Sequence, residues 1–247
     1  MAVADQGAFL IANAWGDTSQ ARAASGYFAI ATAIHSGHAD ALTGNLNWAT
    51  AIGATTAKAG IGNGNRALAI GNDTDPSAGI HGAFALDGNG NVTISVGNDN
   101  NASTNLSTGG RAFAFGDNSV ANVLEASGSS AIVRGSNSTA FVQNNASQAI
   151  VHGDNSTATA ANGANNRAVV CGNASTARAI LGGNNRAEVN GDNSSAAALG
   201  GDNNSASVHG NNSTATAGPG SNFHIAVRGD NATGNAPAAL SSSRRAR

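Results

Sequence analysis

Along most of this chain, small apolar residues alternate with polar ones in short runs, and each run closes on a polar turn. Thr157-Ala158-Thr159-Ala160, Arg186-Ala187-Glu188-Val189 and Ser205-Ala206-Ser207-Val208 show the alternation. Period two is the mark of a strand with one buried face. Between the runs stand GDNST, GNAST and GDNSS, built from residues that tolerate turn dihedrals or bond their own backbone. From Gly153 the turn glycines recur at Gly163, Gly172, Gly182, Gly191, Gly201, Gly210, Gly220 and Gly229, in alternating steps of 10 and 9 residues. Alanine stands five residues after each glycine from Gly153 to Gly210, and seven after them alanine and valine take turns. The repeating unit is therefore a pair of strands, 19 residues long.

The register extends upstream through Gly135, Gly116 and Gly97, and again at 18-residue spacing through Gly62, Gly44 and Gly26. Strand, turn, strand, turn makes one coil of a β-solenoid. Arg167, Arg178, Arg186, Glu188 and Arg228 share the alternate positions with the polar residues, and unpaired charge stays in water. The Ala and Val positions therefore point inward. The predicted fold is all-β: a narrow two-sheet β-solenoid of about 12 coils of 18–19 residues with an Ala/Val core, ~60 Å long at the strand spacing. Residues 1–235 read as one domain, with an irregular loop near 72–90 around Pro76 and a basic tail over 236–247.

Composition removes several function classes. Charged residues are 11%, and the net charge of −2 provides no basic field for nucleic acid. A single cysteine permits no internal disulfide. No apolar run reaches the roughly 20 residues of a membrane span. The start carries Asp5 and no basic segment before its apolar residues, so it does not read as a signal peptide. A secreted or cell-surface location is expected if a leader has been removed. GxSxG, HExxH and P-loop motifs are absent from the sequence, so no enzyme is expected.

One coil apart means stacked, and each turn or strand position becomes a column. Asn118, Asn137, Asn155, Asn193, Asn212 and Asn231 form one such column, expected to hydrogen-bond as an asparagine ladder. Beside them acid alternates with neutral residues at Asp117, Ser136, Asp154, Asn173 and Asp192. A calcium-stabilised roll is one reading of such Gly/Asp turns, although asparagine occupies most ligand positions. No other cofactor or metal is expected; His152 and Cys171 are neighbours in one column, and two ligands do not make a zinc site.

Two outward faces draw notice. Thr139, Thr157, Thr159, Thr176, Ser195, Thr214 and Thr216 give one face of the C-terminal half a hydroxyl array, which a flat ice-binding surface would use. In the N-terminal half the outward positions hold Ile30, Ile34, Trp48, Ile52, Leu68 and Ile70, and the opposite face holds Phe113 and Phe115. Two arrangements are open: an exposed apolar stripe for self-association, or flipped units that put Ile and Leu into a fatter core.

Three stretches, Ala49-Thr50-Ala51-Ile52-Gly53, Ala67-Leu68-Ala69-Ile70-Gly71 and Ala112 to Ala121, resemble the head repeats of YadA-type trimeric autotransporter adhesins. The resemblance implies a left-handed β-roll that trimerises and meets host matrix at a bacterial surface. Taken together, the expectation is a non-enzymatic rod with a structural or adhesive role, forming a homo-oligomer, with matrix, another extracellular surface or ice as its partner.

Overall fold

The structure is a computed structural model describing residues 1–73 and 81–236. It is a parallel β-solenoid. Among the described residues 25 strands run from Ala2–Asp5 to Thr233–Asn235 and go alternately to two sheets, one of 13 strands and one of 12. The first sheet begins with Ala2–Asp5, the second with Ile11–Trp15. Every pairing between sheet neighbours is parallel, and the register repeats the sequence period: Ala158 pairs with Ala177, and Ala177 with Ala196.

Alternation decides what is inside. In the strand Arg186–Asn190, Ala187 and Val189 are fully buried, while Arg186 and Asn190 are exposed. The same holds upstream, where Ala31, Ala33, Ala49, Ala51 and Ala69 have no exposed surface. Among the described residues no unit flips in the N-terminal half, so Ile30, Ile34, Trp48, Ile52, Leu68 and Ile70 project outward from the second sheet. The core is alanine with alanine upstream; downstream alanine is joined by valine, at Val123, Val133, Val142 and Val151 in succession and then in alternation with alanine from Ala160 on. Thr93 and Ser95 take the inward positions of Val92–Val96 and divide the buried apolar residues into two clusters.

The turns explain the glycines. Gly191 has φ +147°, and a Cβ there would lie 2.1 Å from the carbonyl oxygen of Gly210 in the next coil. Only a residue without a side chain fits both the dihedral and the contact. Two residues on, Asn118, Asn137, Asn155, Asn193, Asn212 and Asn231 all have φ between 52° and 55°, the left-handed region in which asparagine is the favoured residue with a side chain.

One coil differs in length. Asn72 bonds Asn98, 26 residues later, where neighbouring coils span 18 or 19. The irregular loop expected near 72–90 covers this coil. Its residues 74–80 lie outside the described residues, and so does the expected tail from 237 onward. Within the same stretch Gly82–Ala85 is a strand of the first sheet. No helix of the described residues is long and apolar enough to cross a membrane.

A core this thin has no room for a larger side chain. Ala187→Leu is expected to overpack it and cost about 1–3 kcal/mol, read as a lower midpoint in chemical unfolding. An unchanged midpoint would mean that the sheets are not in contact at Ala187.

Candidate functional site

Three constructions deserve description: the turn ladders, the two outer faces and a cluster of titratable groups beside the long coil. The ladders fix the geometry of the rest.

The asparagine column does not carry the side-chain ladder expected of it. Those residues hold the left-handed turn, and the ladders run through the positions on either side. One position earlier, an Asp or Asn Oδ1 accepts the backbone N–H of the equivalent residue one coil before. Asp154 N–H donates to Asn173 Oδ1 at 2.8 Å, Asn173 N–H to Asp192 Oδ1 at 2.7 Å, and Asp192 N–H to Asn211 Oδ1 at 2.8 Å. One position later, inside the corner, buried serines accept in the other direction, from the backbone N–H of the equivalent residue one coil after. Ser194 Oγ accepts the N–H of Ser213 at 3.1 Å and donates to the carbonyl of Gly210 at 2.8 Å. At the opposite corner asparagines fill that place: Asn185 Oδ1 accepts from Asn204 N–H at 3.0 Å, and Asn185 Nδ2 donates to Gly201 O at 2.8 Å. These interior serines and asparagines were hidden among turn formers that read as solvent-facing.

The outer face of the first sheet carries the hydroxyl array. Thr139, Thr157, Thr176, Ser195 and Thr214 stack as successive partners, and Thr233 continues the column. The neighbouring column, which contains Thr159 and Thr216, is broken by Phe141, Arg178 and Ala197. The array is one file of hydroxyls wide.

The outer face of the second sheet is apolar over a much longer reach. Trp15, Ile34, Ile52, Ile70, Val96 and Phe115 stack without a break. A second column runs from Leu68 through Ile94, Phe113, Ile132 and Ile150 to Val169. Phe113 and Phe115 therefore share a face with Ile34 and Ile52, and their expected place on the opposite face is corrected. The 26-residue coil is close to three nine-residue units, so counting inserts one strand too many and exchanges the faces.

The apolar surface also turns the corner. Phe9, Phe28 and Leu46 occupy the left-handed turn position, at φ 57°, 56° and 60°, where Asn165, Asn184 and Asn203 stand downstream. All three are more than half exposed, and the Phe9 and Phe28 rings stack 4.8 Å apart and nearly parallel. Each lies two residues before Ile11, Ile30 or Trp48, so the patch is continuous with the second sheet's face. Shallow depressions on it are lined by Phe9, Ile11, Phe28 and Ile30, and by Trp48, Leu68, Val92 and Ile94. At the other end the apolar column meets charge. Glu188 follows Val169 and accepts from Arg186 Nε at 3.1 Å as well as from Nη2, and this guanidinium holds its carboxyl below the usual range.

Among titratable groups, His152 and Cys171 are stacked partners and both exposed. A denser cluster lies at the long coil. His81 Nδ1 is 2.7 Å from Asp73 Oδ1 and 3.7 Å from Asp99 Oδ1. Its signal in the sequence was slight: Asp73 and Asp99 each stand two residues after a turn glycine. On the first sheet, His38 Nε2 and Asp40 Oδ2 are 3.1 Å apart.

No protein-family model matches this chain, and no curated protein matches it. The likeness to trimeric autotransporter heads rests on the three quoted stretches alone.

The bond to Asp40 raises the His38 pKa above its ordinary value; burial and Lys58 oppose the rise without cancelling it. The stabilisation is complete below about pH 6.5, the ordinary histidine value, and is lost as pH rises through the folded value. His38 is expected to titrate above an unperturbed histidine by NMR, and Asp40→Asn to bring it down. A midpoint unmoved by Asp40→Asn would show that the pair is not formed.

Proposed function

We propose that this chain is a non-enzymatic structural rod that associates side by side with a second copy of itself through the outer face of its second sheet. The observation that carries the reading is the pair of unbroken apolar columns, Trp15 to Phe115 and Leu68 to Val169. They overlap on three neighbouring strands, Arg66–Ile70, Val92–Val96 and Arg111–Phe115. Together they form one stripe that drifts across the sheet along the rod.

Area supports a second copy as the occupant. Nine strands of the second sheet carry the stripe, from Ile11–Trp15 to Arg167–Cys171. At the usual strand spacing and rise the whole outer face of these strands is about 700 Å², polar flanking residues such as Thr50, Arg111 and Gln148 included, close to the roughly 800 Å² per partner of a standard interface. Contiguous apolar stripes on a soluble surface mark contact sites. The turn residues point the same way. A bulky apolar side chain in the left-handed region costs ~1–2 kcal/mol, and Phe9, Phe28 and Leu46 hold that conformation while exposed. Strain retained at an exposed apolar residue favours a contact role over a folding one.

A flat, registered face opposite the interface would remain for display. Its hydroxyl file favours a second reading, ice binding, in which Thr157 and Thr214 touch the crystal. Thermal hysteresis that disappears in Thr157→Arg would favour this second reading; its absence leaves display of the face to other surfaces. Adhesive, secreted and cell-surface roles belong to the same proposal and draw on the resemblance to adhesin heads.

Sedimentation tests the association. The unaltered chain is expected to form oligomers at micromolar concentration, and Ile52→Asp with Phe113→Asp to yield monomers of unchanged circular dichroism. Both positions point away from the core, so the coil is expected to tolerate the charges. A chain that stays monomeric at its highest soluble concentration would refute the proposal.

A further inference from the structure

The turn column that holds asparagine along the C-terminal half holds aspartate twice in succession at the long coil. Asp73 follows Gly71 and Asn72, and Asp99 follows Gly97 and Asn98. The two turns are adjacent rungs: Asn72 N–H donates to Asn98 Oδ1 at 3.1 Å, and Asp99 N–H donates to Asn72 O at 3.2 Å. Stacked carboxylates at the strand spacing repel, and here they are withdrawn from water. The Asp73 side chain is 6% exposed and that of Asp99 14% exposed. Elsewhere the turns separate their acids, as at Asp154, Asn173 and Asp192.

His81 completes a set of three. Its Nδ1 and one oxygen from each carboxylate all lie within 4.8 Å of one another. Around a tetrahedral ion with ligand bonds of 2.0–2.2 Å, donors sit about 3.4 Å apart. The observed separations of 2.7 and 3.7 Å bracket that value, so a small ring movement suffices. We propose that Asp73, His81 and Asp99 bind a divalent transition-metal ion of the zinc class at the base of the long coil.

The donor chemistry narrows the ion. Calcium takes six to eight oxygens, and an imidazole nitrogen is not one of its ligands. One nitrogen and two carboxylates suit zinc and its first-row neighbours. Three protein ligands leave a fourth position, the arrangement of sites that keep a water or an exchangeable ligand. Asp73 also lines a shallow depression with Ser36, His38, Thr55 and Thr56. The backbone bonds of both turns hold the carboxylates in place, because Asp73 N–H also donates to Ala54 O at 2.6 Å. The ion would bridge the two adjacent turns through Asp73 and Asp99 and tie His81 to both.

Calorimetric titration of the metal-stripped full chain with zinc, and the absorption spectrum with cobalt as the probe, test the site. One equivalent is expected to bind and to raise the thermal midpoint. Asp73→Asn with Asp99→Asn is expected to weaken binding at least about tenfold. It keeps the fold, because asparagine is the residue the other turns use here. His81→Ala weakens binding similarly. A chain that takes up no zinc overturns the proposal. So does binding that survives both variants, or binding that is lost in His152→Ala with Cys171→Ser instead.

Discussion

The rod depends on hydrogen bonds between coils that continue through the turns, where backbone carbonyls and side-chain oxygens alternate as acceptors of backbone N–H groups. Gly153 N–H donates to Arg134 O at 3.0 Å, Asn155 N–H to Ser136 O at 2.9 Å and Thr157 N–H to Ser175 O at 2.9 Å. A chain bonded to itself in this way around the corner cannot shift register at one residue alone. Equivalent residues must stack, and each position is then judged against its copies above and below. Glycine is required where a Cβ would strike the next coil's carbonyl. Serine or asparagine is required inside the corner, where a buried N–H needs a side-chain acceptor, and an unmet group there costs ~1–3 kcal/mol. Alanine and valine are what remain for a space bounded by two sheets so close together.

The same stacking makes the surface. A residue type repeated once per coil becomes a stripe, so small changes in the repeat produce large faces. Isoleucine, leucine, phenylalanine and valine at outward positions of the second sheet give an apolar stripe, and threonine on the first gives a file of hydroxyls. Upstream of the long coil the turns also carry Phe9, Phe28 and Leu46, where the same position holds Gly109, Gly128 and Ala146 and then Asn165, Asn184 and Asn203 downstream. The two halves share one backbone plan and differ in what they offer to a neighbour. Between them the inward Thr93 and Ser95 separate the buried apolar clusters, and the long coil inserts the Asp73, His81 and Asp99 group.

Most of the fold was legible because the period is written in residues with steric necessity. Gly191 and Ala187 admit few alternatives, and arginine at the alternate positions settles which side is wet. Reading failed where the count lost its reference. The long coil changed the parity of the strands, and Phe113 and Phe115 moved to the other face with it. The ladder assigned to Asn155 and its column lies instead in Asp154 and Ser156, because the sequence shows which residues share a turn but not which of them is buried. The Asp73, His81 and Asp99 group was illegible for a related reason. His81 is eight residues from Asp73 and eighteen from Asp99, and only the folded coil brings them together.

The central claim is that this narrow solenoid presents its second sheet to a neighbour. Small-angle scattering from the full chain measures it most directly, since it gives rod length and cross-section at once. The account predicts a length of ~60 Å, as for about 12 coils, with a cross-section wider than one solenoid, and a reduction to a single cross-section when Ile52 and Phe113 carry aspartate. A single-solenoid cross-section in the unaltered chain at every concentration would contradict it.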